Sequence, residues 1–487
     1  MADASPYDAV LYPARAFVQT HPDRLATLAT LFGLAPAPPA GCRVLELGCG
    51  AGGNLLPMAV GLPGSTFVGI DTSRRAIERA QAVTERLGLR NIAFEEISIE
   101  DYEPDGGFDY VIAHGVYSWV PERVRERLLA LCASVLSPAG VAYVSYNALP
   151  GGHPRRALRE MLSYHVAGIE QPGEQMAAAR GFLRLLSAAG EADSELARTL
   201  GPEARKLFDH VDALFFHDTL AEDNQPLYFH EFVAQAGVHG LQFLSEAEFS
   251  EMQLGALPEQ LQQALLTISD PLRREQYLDF LKERMFRQTL LVRSEIALDR
   301  TPHPERLASL AVSAPLRWAT DEETGRVTFT AAAGAHLTTD HPLVIATLQR
   351  VGDAWPSAPW VAQLGTDAEL PAICDALLRC FAANLVRLHV HPPAVSTAVP
   401  EHPQVSALAR LEAAQDELLT TVRHTGIRLD DDLGRRLVTL LDGTRDRAAL
   451  VAELAPGTAM ERDELVAGLE HSLQRLARAG LLLPDGG

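Results

Sequence analysis

The chain has 487 residues, of which 47% are hydrophobic and 22% charged, so its length allows about three domains with ordinary globular cores. Its formal net charge of -21 repels a phosphate backbone, which argues against nucleic acid as a partner. The five cysteines form no CxxC pair, and the first residues lack the basic start and apolar core of a signal peptide. No apolar run approaches the ~20 residues of a membrane helix, so we expect a cytoplasmic protein that does not bind membranes.

Residues 7–40 form a leader before the first predicted strand. Apolar residues recur at helical spacing after Pro22, which predicts an amphipathic helix. Such a leader can fold over an open ligand site as a lid, and Tyr12, Gln19 and His21 are then candidates for contacts to the ligand. The alternative is that the aromatic residues of the leader merely pack the helix on the sheet.

A glycine-rich turn follows the first apolar strand. Residues 43–54 read R-V-L-E-L-G-C-G-A-G-G-N, so a short apolar run with an acid meets closely spaced glycines at Gly48, Gly50 and Gly52. A buried parallel strand turns sharply in this way beneath a nucleotide-like ligand. Asp71, at the end of a second apolar run, can accept hydrogen bonds from both hydroxyls of a ribose. The stretch therefore predicts a ligand cradle.

The acid before the glycines distinguishes between two ligands that such a cradle can hold. NAD and S-adenosylmethionine (SAM) both carry a ribose, but a carboxylate at Glu46 would repel the pyrophosphate of NAD and attract the ammonium group of SAM. The spacing G-x-G-x-G also departs from the dinucleotide pattern G-x-G-x-x-G. The sequence therefore predicts SAM as the cofactor.

Strand and helix patterns alternate along the first part of the chain. This alternation predicts right-handed βαβ units and a doubly wound, Rossmann-like α/β fold around a parallel sheet. Ligands of such folds lie beyond the carboxyl ends of the strands, so the loops there are the places to look for chemistry. The predicted strands are 43–47, 66–70, 91–95, 108–113 and 140–146, and the predicted helices are 53–60, 73–87 and 122–136.

With an acid followed by G-x-G-x-G, the chain resembles the class I SAM-dependent methyltransferases. The resemblance implies that Ser98 and Ile99 hold the adenine, although the family usually has an acid where this chain has Ser98. Asp101 could replace that acid through a turn, or it could be a solvated loop residue. Besides the leader residues, the residues expected to bind SAM are Glu46, Gly48, Gly50, Asn54, Asp71, Thr72, Ser98, Ile99, His114 and Gly115.

The resemblance also places His114 near the point where methyl donor and acceptor meet. Methyl transfer from a sulfonium to an amine is a direct displacement, so the protein mainly aligns the two partners and excludes water. An amine acceptor must lose its proton, and the candidates to accept it are His114, Tyr117 and Tyr146. Trp119 is a candidate wall around an alkylammonium, and Asn147 is expected to help shape the acceptor side. The alternative is that this apolar loop only packs.

Histidines and acids in the middle of the chain raise the question of a metal site. They are His217, Asp218, His230 and Glu231. Their spacing matches neither H-E-x-x-H nor a comparable ligand pattern, so we expect no metal.

Four longer motifs narrow the resemblance. They are H-G-V-Y-S-W-V-P at 114–121, Y-N-A-L-P-G at 146–151, Y-F-H-E-F at 228–232 and E-Q-Y-L-D-F-L at 275–281. Together they are similar to bacterial methyltransferases that carry a methyltransferase regulatory domain. That group includes the protein-lysine methyltransferases acting on rickettsial outer-membrane proteins, although members with this architecture need not share an acceptor.

Composition and helix patterns divide the chain into four expected domains. A polar hairpin between helices predicts a winged-helix unit, and a proline-rich linker near residue 400 precedes the last segment. That segment resembles winged-helix peptide-binding domains, which would bind a polypeptide by strand addition; DNA binding is the alternative. The expected domains are 1–165 (methyltransferase with lid), 166–300 (helical regulatory domain), 301–395 (winged-helix-like) and 396–487 (winged-helix or peptide-binding-like).

We therefore predict a bacterial SAM-dependent methyltransferase that releases S-adenosylhomocysteine (SAH) and methylates a lysine amine of a protein or peptide. About two-thirds of the chain lies outside the catalytic unit, and a small acceptor would need little of that mass. The alternatives are a small-molecule methyltransferase of a biosynthetic pathway and a SAM-binding sensor without turnover. A homodimer is an arrangement that the sequence leaves open.

Overall fold

The computed structural model describes residues 12–189, 195–209, 212–221, 223–332, 334–415, 418–456, 458 and 460–484. The leader predicted to begin at residue 7 is therefore described from Tyr12 onward, and residues 7–11 lie outside the described residues. Among the described helices, none has the length and apolar character needed to cross a membrane.

A mixed sheet, seven-stranded over the described residues, lies at the centre of the first 300 residues. Its strands are β1 (Arg43–Leu47), β2 (Thr66–Asp71), β3 (Ile92–Glu96), β4 (Phe108–Ala113), β5 (Leu136–Asn147), β6 (Leu241–Glu246) and β7 (Phe286–Arg293). The strand order is β3-β2-β1-β4-β5-β7-β6. Pairing is parallel from β3 through β5, and β7 pairs antiparallel with both β5 and β6.

Alternating side chains of the central strands pack into two separate cores, one on each face of the sheet. Val44 and Tyr110 belong to one core and Leu45 and Val111 to the other, and all four side chains are fully buried. This two-sided burial explains why the strands read as continuous apolar runs. The helices nearest these strands are α1 (Pro22–Leu31), α2 (Leu55–Gly61), α3 (Arg74–Leu87) and α4 (Glu122–Val135).

The predicted doubly wound sheet is confirmed, with the two antiparallel strands β7 and β6 added at one edge. The fifth strand begins at Leu136 instead of residue 140. The reason is an irregular register, since Phe108 pairs with Leu136 whereas Tyr110 already pairs with Val141. A bulge of this kind adds strand length that an apolar pattern does not reveal.

The leader helix α1 is part of the core. His21 caps its N-terminus, because His21 Nδ1 accepts a hydrogen bond from the Asp23 backbone N–H at 3.2 Å. Leu25, Leu28 and Leu31 are fully buried. The segment that covers the ligand cradle is therefore the extended stretch 12–17 before this helix.

Residues 166–300, expected to be helical, combine helices with the strands β6 and β7 of the main sheet. The helical part begins before residue 166, with the helix at 153–166, and has a small core that includes Leu158, Leu183 and Phe215. The helices are α5 (His153–Val166), α6 (Pro172–Ala189), α7 (Glu195–Phe208), α8 (Asp212–Leu220), α9 (Phe229–Val238), α10 (Glu259–Leu266) and α11 (Pro271–Lys282). The main sheet therefore crosses the boundary expected between the first two domains.

The next segment has helices and short strands. β8 (Ala311–Ser313) pairs antiparallel with β12 (Arg387–His389). The strands β9 (Arg317–Thr320), β10 (Val327–Thr330) and β11 (His336–Thr339) form an antiparallel sheet. They are followed by the helices α12 (Pro342–Asp353) and α13 (Leu370–Ala382).

The last segment has its own apolar core, which includes Leu437, Leu450, Leu469 and Leu473. Its elements are α14 (Ala407–Gln415), a hairpin of β13 (Leu418–Thr420) and β14 (Gly426–Arg428), α15 (Asp432–Leu440), α16 (Arg447–Leu454) and α17 (Arg462–Arg478). The turn of the hairpin packs back against the N-terminal half, as described below.

Candidate functional site

A cavity of about 330 Å³ lies at the carboxyl ends of β1, β2, β3 and β4. It is closed on one side by the stretch 12–17 and on another by residues 217 and 218 of α8. Most of the residues predicted to bind the cofactor line it, namely Tyr12, Glu46, Gly48, Gly50, Asn54, Asp71, Thr72, Ser98, Ile99, His114 and Gly115. The cavity therefore brings together the loops that follow four different strands.

The glycine-rich turn needs its glycines for two different reasons. Gly48 has a φ of +75°, and a Cβ there would lie 2.5 Å from Val116 Cγ2, so a side chain is excluded by conformation and by space. Gly50 has a φ of +52°, and a Cβ there would meet no atom within 4 Å. The space beside Gly50 is thus open toward the cavity, as a closely approaching ligand requires.

Glu46 is the buried acid of the cavity. Its Oε1 accepts a hydrogen bond from Asn54 Nδ2 at 2.8 Å. Its Oε2 is buried and has no hydrogen-bond partner among the described residues. Burial raises the pKa of Glu46 to about 8, and Asn54 opposes part of this increase. An acceptor held without a partner in this way fits a cationic donor such as an ammonium group.

Asp71 lies at the end of β2 and organises the turn as well as facing the cavity. Its Oδ2 accepts the Gly50 N–H at 2.8 Å, and its Oδ1 accepts the Ser73 N–H at 2.8 Å. Each carboxylate oxygen has a further lone pair, so Asp71 can also accept hydrogen bonds from ribose hydroxyls. Ser98 Oγ donates to Asp101 Oδ2 at 2.6 Å, whereas Asp101 itself is exposed and is not among the residues that line the cavity.

His114 lies where the cavity meets β5. Its ring packs on Phe17 with a centroid distance of 4.0 Å, and its Nδ1 lies 3.0 Å from the Tyr143 hydroxyl oxygen and 3.3 Å from Ser145 Oγ. Burial lowers the pKa of His114 to about 4. The imidazole is therefore neutral at physiological pH and a weak base.

Five predicted site residues lie away from this cavity. Tyr117 is buried and donates its hydroxyl to Gln235 Oε1 at 2.6 Å, and the buried ring of Tyr146 stacks on Phe232. The Asn147 backbone N–H donates to Ser118 Oγ. The side chains of Gln19 and Tyr143 form a hydrogen bond. His21 lines a second cavity of about 420 Å³. Of these five residues, Tyr117 and Tyr146 have buried side chains, and Tyr146 and Asn147 belong to strand β5 instead of a loop.

Several cavity residues were missed or misassigned from the sequence. Phe17 and Val116 were not singled out as ligand contacts, and His217 and Asp218 were considered only as metal ligands, yet all four line the cavity. No cluster of histidines, cysteines and acids among the described residues has the geometry of a metal site. Burial raises the pKa of Asp218 to about 6. Trp119 lines the cavity, and the Arg159 guanidinium lies 5.3 Å from its ring centroid.

The residues present fit SAM. A buried acid with one unpartnered oxygen lines the cavity, a strand-end acid lies beside the glycine turn where a ribose would bind, and Ile99, Val120 and Val124 add an apolar lining that suits a flat ring. Together with the sheet order, these features define a SAM-dependent methyltransferase of class I.

Family models match three parts of the chain. A methyltransferase domain matches residues 39–179, a predicted methyltransferase regulatory domain matches residues 211–293, and a PKMT C-terminal winged helix domain matches residues 401–469. The chain is 41% identical to the uncharacterized protein RP789 of Rickettsia prowazekii over 302 residues, which are 62% of this chain and 55% of that protein. It is 34% identical to RP028 of the same organism over 232 residues, 47% of this chain and 93% of that protein.

The structure of PKMT2 from Rickettsia typhi superposes on this chain with a TM-score of 0.87. The two are 25% identical, and the match covers 97% of this chain and 100% of that one. A second structure of that protein, in complex with AdoHcy, matches equally well. The chain therefore belongs to the family of SAM-dependent methyltransferases that combine a class I methyltransferase domain with a methyltransferase regulatory domain and a PKMT-type winged helix domain.

Proposed function

We propose that this chain transfers the methyl group of SAM to a lysine amine of a protein or peptide. Binding of SAM is supported chiefly by Glu46, which lines the cavity. Its Oε2 is buried and has no hydrogen-bond partner among the described residues. The protein acceptor is supported by the winged helix domain match at 401–469 and by the similarity to PKMT2 over almost the whole chain.

In this proposal each part of the cavity holds one part of the cofactor. Glu46 accepts hydrogen bonds from the ammonium group, Asp71 binds the ribose hydroxyls, and the turn at Gly48 and Gly50 lets the backbone approach closely. Thr72, Ser98, Ile99 and Gly115 surround the ribose and adenine. Bound SAM supplies an activated methyl group, which is why the chain needs no covalent nucleophile. The AdoHcy complex of PKMT2 supports this assignment.

The acceptor side aligns an amine and excludes water. Phe17 and His114 pack together there, and an apolar wall favours the neutral form of a lysine amine, because burial disfavours its charge. The amine nitrogen forms a bond to the methyl carbon while the bond between that carbon and the sulfur of SAM breaks. The proton of the amine is released to solvent. His114, with its pKa of about 4, positions the acceptor in this scheme and is too weak a base to remove that proton.

We further propose that residues 1–165, 166–300, 301–395 and 396–487 act as methyltransferase, regulatory, winged-helix-like and peptide-binding-like domains in the cytoplasm of a bacterial cell. The extensive contacts between these parts, described below, favour a role in acceptor binding over independent functions. The acidic surface, with a net charge of -21, suits a lysine-rich polypeptide better than nucleic acid.

The test is incubation of the purified chain with radiolabelled SAM and bacterial lysate, followed by separation into macromolecular and small-molecule fractions. The variant Asp71→Ala serves as the control, because it removes the proposed ribose contact. The proposal predicts label on a discrete protein band that is absent with the variant. Label confined to the small-molecule fraction would overturn the protein acceptor and would favour a metabolite methyltransferase.

A further inference from the structure

The turn between β13 and β14 carries a histidine to the underside of the cofactor cradle. His424 is buried, and its Nε2 lies 2.9 Å from Asn54 Oδ1. The two residues are 370 positions apart in the sequence. A side chain of the C-terminal segment therefore contacts a residue of the glycine-rich motif.

The side-chain amide of Asn54 is fully used. Its Oδ1 accepts the Phe17 N–H at 3.0 Å and faces His424 Nε2. Its Nδ2 donates to Glu46 Oε1 at 2.8 Å and to Thr20 Oγ1 at 2.9 Å. Thr20 Oγ1 also lies 3.1 Å from Oδ1, but its single hydroxyl hydrogen has the Phe17 carbonyl as a nearer partner at 2.8 Å. The Phe17 N–H identifies Oδ1 as the amide oxygen, so His424 faces an acceptor and carries its proton on Nε2.

The orientation of this amide determines which oxygen of Glu46 has a hydrogen-bond donor. With Nδ2 toward Glu46, Oε1 is occupied and Oε2 is left for a ligand. If the amide rotated by half a turn, its oxygen would face the carboxylate, and in the ionised form that an ammonium ligand requires the two acceptors would repel each other. A donor to Oδ1 that lies on the opposite side opposes this rotation, and His424 is such a donor.

His424 is itself held in place by its turn. It has a φ of +59°, an uncommon conformation for a residue other than glycine. Next to it, the Arg423 guanidinium donates to Ser313 Oγ at 2.8 Å and to the Pro356 carbonyl at 2.7 Å, and its carbon lies 4.2 Å from the Trp355 ring centroid. The turn is therefore fixed against the segment 301–395 and cannot swing freely.

We propose that His424 is a positioning residue of the SAM site: by donating to Asn54 Oδ1 it fixes the amide that orients Glu46. The C-terminal segment thereby completes the site of the methyltransferase domain, and its docking is a condition for tight cofactor binding. This inference rests on the proposed binding of SAM in the cavity.

The test is the affinity of the full-length chain for SAH by isothermal titration calorimetry, with thermal melting of each variant. His424→Leu removes the donor, and His424→Gln keeps a donor at nearly the same distance; both carry the same backbone cost at positive φ. His471→Leu, at an exposed position of the same segment, is the matched control. Loss of one buried hydrogen bond predicts roughly 3- to 10-fold weaker binding for His424→Leu, with recovery to about wild-type affinity in His424→Gln and no change in the control.

A further variant separates positioning from folding. His424→Asn suits the left-handed backbone but is too short to reach Asn54, so it should melt like the wild type and bind SAH as weakly as His424→Leu. Wild-type affinity in folded His424→Asn, or equal loss in the Gln and Leu variants, would overturn the positioning role. Absence of SAH binding by the wild-type chain would instead overturn the proposed SAM site itself.

Discussion

Glu46 makes the clearest prediction at the scale of a single residue. Its pKa rises from 4.5 to about 8 through burial, so the folded state binds a proton that the unfolded state has lost. Stability without ligand therefore falls as the pH rises between these values. We expect Glu46→Gln to raise the melting temperature at pH 8, by about 1–2 °C for each kcal/mol of ionisation cost removed, and to have little effect near pH 4.

The same substitution should have the opposite effect on cofactor binding. Removing one partner of a buried charged pair costs about 2–5 kcal/mol, so Glu46→Gln should weaken SAH binding by about 30-fold or more. Titration calorimetry at pH 7.5 measures this loss. A variant that melts higher and still binds SAH like the wild type would show that the ammonium group is held elsewhere.

His114 allows a test of alignment against base catalysis. A general base contributes about 10²–10⁴-fold to a rate, whereas a neutral residue that shapes the site contributes less. We expect His114→Gln to lower kcat by less than about tenfold and to leave the pH dependence of kcat/KM unchanged. A loss of a thousandfold together with a shifted pH profile would identify His114 as the base.

The residues of the cradle were predictable because their signal is local. Glu46, Gly48, Gly50 and Asp71 follow from strand patterns and spacing that a few neighbours determine. Tyr117 lies three residues beyond His114 on a loop that the sequence placed correctly, but its side chain turns inward to pack against Phe232. Such a direction depends on helix α9, which is more than a hundred residues away in the chain.

At the scale of elements, β7 is attached to its surroundings through Arg287. This side chain is fully buried and contacts Asp279 at 2.8 Å, Glu246 at 2.6 Å and Glu275 at 3.1 Å. Removing it would leave three buried acids without their common partner. We expect Arg287→Leu to destabilise the fold by about 3–5 kcal/mol, measured by chemical denaturation.

The control for this variant is Arg156→Leu, which breaks an exposed pair with Glu160. Exposed pairs contribute about 0–1 kcal/mol, so the control should unfold almost like the wild type. Equal stability of both variants would mean that the network around Arg287 does not hold β6 and β7 to the sheet.

The first five strands were predictable from sequence, and the last two of the sheet were not. Strands β1 to β4 match the expected ranges within a residue, because each is a short apolar run between turn signals. The strand β7 follows helix α11 directly, with Glu283 in a left-handed conformation between them. The sequence pattern predicts helix throughout this stretch, since a single non-glycine residue at positive φ leaves no pattern.

At the scale of the molecule, the leader contacts the C-terminal half of the chain beside the second cavity, and the hairpin turn at His424 contacts the cofactor cradle. Asp23 of the leader accepts the His391 N–H at 2.7 Å, and its other oxygen lies 2.7 Å from His389 Nδ1. These contacts, with the one between His424 and Asn54, join residues more than 360 positions apart. No local pattern could have predicted them, because they depend on how complete domains dock.

Because of this arrangement, we expect ligand binding to stabilise the C-terminal segment as well as the cradle. Binding at 100-fold excess over Kd stabilises a folded state by about 2.7 kcal/mol, so SAH should slow hydrogen exchange of the amides at 421–425 as well as those of the cradle. Mass spectrometry of deuterated peptides measures both regions. Protection confined to residues 43–124 would show that the C-terminal turn is independent of the cofactor.

The most direct test of the account is a crystal structure of the full chain with SAH. The account predicts the amino group of SAH within about 3 Å of Glu46 Oε2, the ribose hydroxyls on Asp71, and the sulfur facing the side of the cavity formed by Phe17 and His114. SAH bound outside this cavity, or within it but with its amino group away from Glu46, would contradict the assignment of the site.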